Sequence, residues 1–116
     1  MSYGQKLVRG QAGTMLYVRL LDRRVENGRV LYPVIDPTGK VVTAEVTTPE
    51  GEESTITMEP SAHATLTAAN GYAQYKAPAG FEGERDGTLW LHPIVTVGTD
   101  VFPGLERVAI QVESVG

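Results

Sequence analysis

Side chains able to do chemistry are few and scattered in this chain of 116 residues. Cysteine is absent, and the only histidines are His63 and His92, far apart in sequence. Nucleophilic catalysis needs a Ser, Thr or Cys activated by a neighbouring base. Ser54 and Ser61 stand in polar, turn-like contexts where a hydroxyl normally caps backbone groups, and no Gly-x-Ser-x-Gly elbow is present. A zinc site needs three or four convergent ligands, which two distant histidines without a thiolate do not supply. The segment Glu82-Gly83-Glu84-Arg85-Asp86-Gly87 puts carboxylates at alternate positions, a spacing similar to that of oxygen-rich calcium loops. It has no downstream bidentate glutamate, and Arg85 sits inside the run, so a solvated acidic loop is expected. Arg9-Gly10-Gln11-Ala12-Gly13 leads into a strand pattern and offers no helix amino-terminus for phosphate. These residues predict no catalytic, cofactor or metal site, and a protein that is not an enzyme.

The elements that would carry these side chains read as strands. Over residues 14–21, Leu16, Val18 and Leu20 share one face, with Tyr17 and Arg19 on the other; near the carboxy terminus Val108, Ile110 and Val112 alternate with Ala109, Gln111 and Glu113. Between them, turn chemistry recurs at short intervals: Asn27-Gly28, Asp36-Pro37-Thr38-Gly39, Pro49-Glu50-Gly51-Glu52, Asn70-Gly71, Pro78-Ala79-Gly80, Asp86-Gly87 and Pro103-Gly104. Short β-branched runs separated by regular turns predict an all-β sandwich or small barrel. Pro49 to Glu52 should separate strands over 41–47 and 53–58. The alanine-rich stretch 61–70 is the best place for a short helix, although its alternation favours a strand. Residues 1–13 lack periodicity and read as an extended arm, followed by one domain over 14–116.

Composition agrees with one ordinary globular core: 41% hydrophobic and 21% charged residues, with 13 Gly and 7 Pro marking a helix-poor chain. No apolar run reaches the length of a signal peptide or a membrane span, so a soluble product with no membrane partner is expected. The net charge of −4 is unevenly distributed. Residues 1–40 hold seven basic and three acidic side chains, whereas 41–116 hold three basic and eleven acidic ones. Arg19, Arg23, Arg24 and Arg29 form a small basic patch, for which a partner-facing role is expected in preference to nucleic-acid binding. Folding is expected to intermix the two signs, and the alternative is that the charge asymmetry steers a head-to-tail contact between subunits. Trp90, the single tryptophan, reads two ways: as a core anchor, the preferred position, or as an outward interface residue. With Trp90 inside, Tyr17, Tyr32, Tyr72 and Tyr75 are expected on the exposed side.

The order Leu21-Asp22, Val34-Ile35-Asp36-Pro37-Thr38-Gly39-Lys40, Thr48-Pro49-Glu50-Gly51, Asn70-Gly71-Tyr72 and Gly80-Phe81-Glu82-Gly83 resembles immunoglobulin-like sandwiches of adhesive and virion proteins. The opening Val8 to Thr14 is also similar to small structural proteins of tailed bacteriophages, found in necks, tails, baseplates and capsid decoration. The paired cysteines of antibody-type domains are missing. The resemblance implies an immunoglobulin-like antiparallel β-sandwich with an extended amino-terminal arm. It also implies a structural subunit located in the virion after assembly in the host cytoplasm. Its partners would be other virion proteins or copies of itself, bound through the arm and edge strands. Arg9, Tyr17, Arg19, Arg23, Arg24, Tyr72, Tyr75 and Trp90 are the partner-binding candidates. The alternative is a carbohydrate- or protein-binding module in which Trp90, Tyr72 and Tyr75 stack on sugar rings.

Overall fold

The computed structural model describes residues 5–97, 99–103 and 107–114, with 100–103 described as backbone. The fold is all-β, and its principal sheet of seven strands is nearly closed into a barrel. Ten strands follow in chain order: β1 (Lys6–Val8), β2 (Thr14–Arg19), β3 (Arg24–Glu26), β4 (Arg29–Leu31), β5 (Val41–Thr47), β6 (Glu53–Pro60), β7 (Tyr72–Ala77), β8 (Gly87–Val97), β9 (Asp100–Pro103) and β10 (Val108–Glu113). The sheet runs β1-β10-β8-β5-β6-β7-β2, β9 pairs additionally with β8, and β3 and β4 form a separate hairpin. All these pairings are antiparallel except β1 with β10, which is parallel.

Two-residue alternation determines which side chains go inside. Leu16, Val18 and Leu20, then Val42, Ala44 and Val46, then Leu89, Leu91 and Val95, and finally Ile110 and Val112 interlock in one aliphatic core with Leu7, Met58, Ala73 and Ala77. Such side chains fill a small barrel completely. Strand β8 is the spine: β5 takes one edge over 90–96, while β10 takes 87–91 and β9 takes 94–97 of the other. Pro93 falls in the gap between those last two partners, where its missing N–H has least effect. Strand β6 pairs with β5 over most of its length but touches β7 only at Glu59 and Pro60, so it turns away from the first group of strands toward β7 and β2.

The free edges of β1 and β2 meet across a seam, where the Gln5 side chain takes the place of a strand. Its amide nitrogen donates to the Tyr17 carbonyl at 2.8 Å, and its oxygen accepts the Tyr17 N–H at 2.7 Å. Residues 5–13, read from sequence as an arm, are thus folded onto the domain: Lys6 to Val8 lie beside Gln111 to Glu113, and the Arg9 N–H donates to the Glu113 carbonyl. Residues 1–4 of that stretch lie outside the described residues.

The stretch 61–70 is neither the strand favoured by its alternation nor an α-helix; it is a loop ending in one 3-10 turn at Ala68–Asn70. One bond from β7 and two local ones decide its shape. The Gln74 side chain accepts the Ala62 N–H at 2.9 Å, and His63 Nδ1 accepts the N–H groups of Thr65 and Leu66, each at 3.0 Å.

Candidate functional site

The acidic loop after β7 is held in place by its neighbours. Glu82 is buried, 2% exposed, and accepts the Gly10 N–H at 2.9 Å. Arg9 pairs its Nε with Asp86 at 3.0 Å and donates to the Glu84 carbonyl. Glu50, arriving from the β5–β6 turn, accepts the Glu84 N–H at 3.0 Å. A Cβ at Gly83, whose φ is +82°, would overlap Glu50 Oε1, so the loop closes only around a glycine. Arg9 therefore faces this loop, and two of the three carboxylates that suggested a cation site are engaged, Glu82 by a backbone N–H and Asp86 by Arg9 and the Ser114 hydroxyl. Among the described residues, no group of three or more His, Cys, Asp or Glu is arranged to hold a metal.

Trp90 lies outside, not in the core. Inward positions of β8 belong to Leu89 and Leu91, both fully buried, so the residue between them must face outward; Trp90 is 42% exposed. Its cross-strand neighbours are Thr47 on β5 and Ala109 on β10, both small, which leaves the indole standing above the sheet. His92 shares this face two residues on, opposite Glu45.

The tyrosines divide between faces. Tyr75 sits opposite buried Leu16, and its ring lies 5.2 Å from that of Phe81 against the core, so it is withdrawn from the exposed side where it was expected. Tyr72 points outward beneath Arg19, whose guanidinium lies 5.8 Å from the ring centroid. Tyr17 packs edge-on against His63 at 5.3 Å. Trp90, Tyr72 and Tyr75 therefore do not assemble into one stacking platform, since β8 and β7 are separated by β5 and β6.

The β3–β4 hairpin stands apart from the principal sheet. Asn27 and Gly28, with φ of 51° and 76°, make the tight turn that the Asn-Gly signal predicts. All six strand residues are exposed. Below them the ladder continues through an Asp22 N–H bond to the Pro33 carbonyl and a bridge between Leu21 and Val34. Arg23 and Arg24 are both here, with Arg24 Nε paired to Asp22 at 3.1 Å. Sequence reading found the turn and the arginines but missed Val25, Val30 and Val34, since a short alternating run gives no sign that neither of its faces will be covered.

No helix among the described residues is long and apolar enough to cross a membrane. Comparison of the chain with protein-family models, with curated proteins and with solved structures finds no match in any of the three.

Proposed function

We propose that this chain is an immunoglobulin-like sandwich that serves as a non-enzymatic structural subunit of a tailed-phage virion or a comparable particle, and that it acts by holding neighbours. The single observation carrying this role is the uncovered hairpin. A two-stranded ribbon is marginal in water by itself, yet this one exposes Val25, Val30, Tyr32 and Val34 together on one face and Leu31 on the other. Scattered surface apolar residues are ordinary, but a contiguous group on a projecting element is the mark of an interface.

The pairing pattern supports the sandwich. In this reading the paired strands β2 and β7 form one layer, the neighbours β10, β8 and β5 form the other, and β6, which pairs with both β5 and β7, turns the corner between them. This is the distribution of B and E against C, F and G in immunoglobulin-like domains. The non-enzymatic role is supported by how the most reactive groups are used: His63 Nδ1 caps its own loop, and Glu82 and Asp86 anchor the start of the chain. Edge strands remain for docking, notably β6 over 53–57, whose second edge pairs with no strand among the described residues.

The test is to purify particles from cells carrying the encoding genome, wash them in high salt and analyse them by mass spectrometry. Several copies of the chain per particle are expected; its absence refutes the virion role. A glycan-binding module is the second possibility, favoured by the exposed Trp90 ring alone. It requires glycan-array binding that disappears in Trp90→Ala.

A further inference from the structure

The hairpin and the opposite wall of the sheet fit each other but do not fit themselves. The bridge Leu21 to Val34 and the pairs Arg24 to Leu31, Val25 to Val30 and Glu26 to Arg29 share one register, which also sets Arg23 opposite Tyr32. Alternation then puts Leu21, Arg23, Val25, Val30, Tyr32 and Val34 on a single face. Val25 is 61% exposed and Tyr32 is 56% exposed. Arg23 is the one charge on that face, because Asp22, Arg24, Glu26 and Arg29 all lie on the other. The hairpin follows β2, at one end of the sheet path, whereas β8 and β5 lie halfway along it and so on the opposite wall of the nearly closed barrel.

That opposite wall has complementary properties. Its outer face presents Trp90, His92 and Ile94 from β8 beside Val41, Thr43, Glu45 and Thr47 from β5, with His92 directly opposite Glu45. Strands β5, β6 and β8 contain Glu45, Glu53 and Glu59 but neither lysine nor arginine. Glu45 and Glu53 flank an open cleft of about 240 Å³ that also touches Thr47 and Thr55. An apolar face carrying one arginine meets an apolar ring bordered by carboxylates, and both belong to the same chain.

We propose that the hairpin of one copy lies on the outer face of β8 and β5 of the next, with Val25, Val30 and Tyr32 against Trp90 and Arg23 directed toward the Glu45–Glu53 cleft. The contact presupposes the assembly role above and names its partner as a second copy. Since the two surfaces are different patches on opposite walls, the contact is heterologous, and repetition yields a ring or a filament instead of a closed two-fold dimer.

Sedimentation velocity of the full chain, from micromolar to millimolar concentration, tests the contact. Wild type is expected to sediment faster as concentration rises, and more so at low salt. Val25→Thr with Val30→Thr removes the hairpin's apolar side while keeping strand preference. Trp90→Lys removes the ring and sets a like charge against Arg23. Each variant alone should need roughly tenfold or more protein to associate, as expected when a central anchor is lost. An equimolar mixture of the two should form a dimer and nothing larger, because one intact hairpin and one intact face remain. Circular dichroism and a urea midpoint confirm that each variant folds.

If the double-threonine hairpin fails to form, charge reversal replaces it. Arg23→Glu weakens association, and Arg23→Glu combined with Glu45→Lys in the same chain restores it. The contact is overturned by a wild type that stays monomeric at millimolar concentration, by association that survives Trp90→Lys, or by a mixture that fails to dimerise. A chain found in particles yet monomeric alone loses this contact and keeps the assembly role; a chain absent from particles that self-associates in this way does the reverse.

Discussion

Replacing Gln5 by alanine isolates the closure of the sheet from the rest of the fold. The Gln5 amide makes two hydrogen bonds to one residue of β2, at 2.7 Å to the Tyr17 N–H and 2.8 Å to the Tyr17 carbonyl. Each has a net worth of about 1 kcal/mol, so their joint loss should destabilise the domain by about 2 kcal/mol, with the Tyr17 groups left to water at the seam. For a domain of this size, that corresponds to a fall in Tm of roughly 8 °C. Urea unfolding should show a lower midpoint with an unchanged slope, because the packed core is untouched. Amide exchange at Tyr17 should accelerate, while exchange in β8, on the far wall, should fall only with global stability. Gln5→Glu gives a sharper signature. At neutral pH its second oxygen faces the Tyr17 carbonyl and repels it; once protonated, the acid O–H can donate there, and part of the loss returns. Stability of Gln5→Ala within about 0.5 kcal/mol of wild type, the range of an ordinary surface change, would refute the bridging role.

Three other perturbations follow from the same structure. Leu91→Ala should cost about 3 kcal/mol by leaving a cavity in the core, whereas Trp90→Ala, one residue earlier but outside, should cost no more than about 1 kcal/mol; paired urea curves check both. Gly83→Ala forces a side chain into a left-handed position already occupied by Glu50 Oε1. It should destabilise by about 1–2 kcal/mol and release Glu50 from the Glu84 N–H, visible as a shift of that amide by NMR. The Asp36 carboxyl is held below its ordinary value of 3.8 by hydrogen bonds from the Thr38 hydroxyl and then its N–H, with a smaller contribution from Lys40. A depressed folded-state value means the stabilisation is complete above the unfolded-state value and is lost as pH falls through the folded one. The gap between wild type and Asp36→Asn in urea midpoint should therefore be present at pH 6 and shrink below about pH 4, the ordinary carboxylate range.

The turns were the most legible part of the fold, because their chemistry is local. Asn27-Gly28 and the Pro49 to Glu52 corner fix their own backbone, and the strand over 41–47 and the start of its partner at Glu53 follow at once. Which strand face turns inward is settled over longer range. Leu89, Trp90 and Leu91 alternate identically under either assignment, and the narrow interior takes the pair of leucines and leaves out the larger ring. Tyr72 and Tyr75 have the same residue type yet opposite fates, because only Tyr75 sits opposite Leu16. The stretch 61–70 is not the strand its alternation suggests, because that weak signal yields to bonds from Gln74 on the following strand and from His63 within the loop. Nothing around Gln5 signals that its amide substitutes for a strand, since the partner that makes it meaningful is brought near only by the curvature of the sheet. The candidate surface was legible as arginines and a turn, and its apolar half emerged only when no neighbouring strand covered it.

The parallel alignment of Lys6, Leu7 and Val8 with Gln111, Val112 and Glu113 has a mechanical consequence. Tension entering before β1 and leaving after β10 would slide the two strands lengthwise past each other, so their bonds would be strained simultaneously instead of opening one by one like a zipper. Traction along the polypeptide would then meet its greatest resistance at this short clamp, with the remaining strands shielded until it slips.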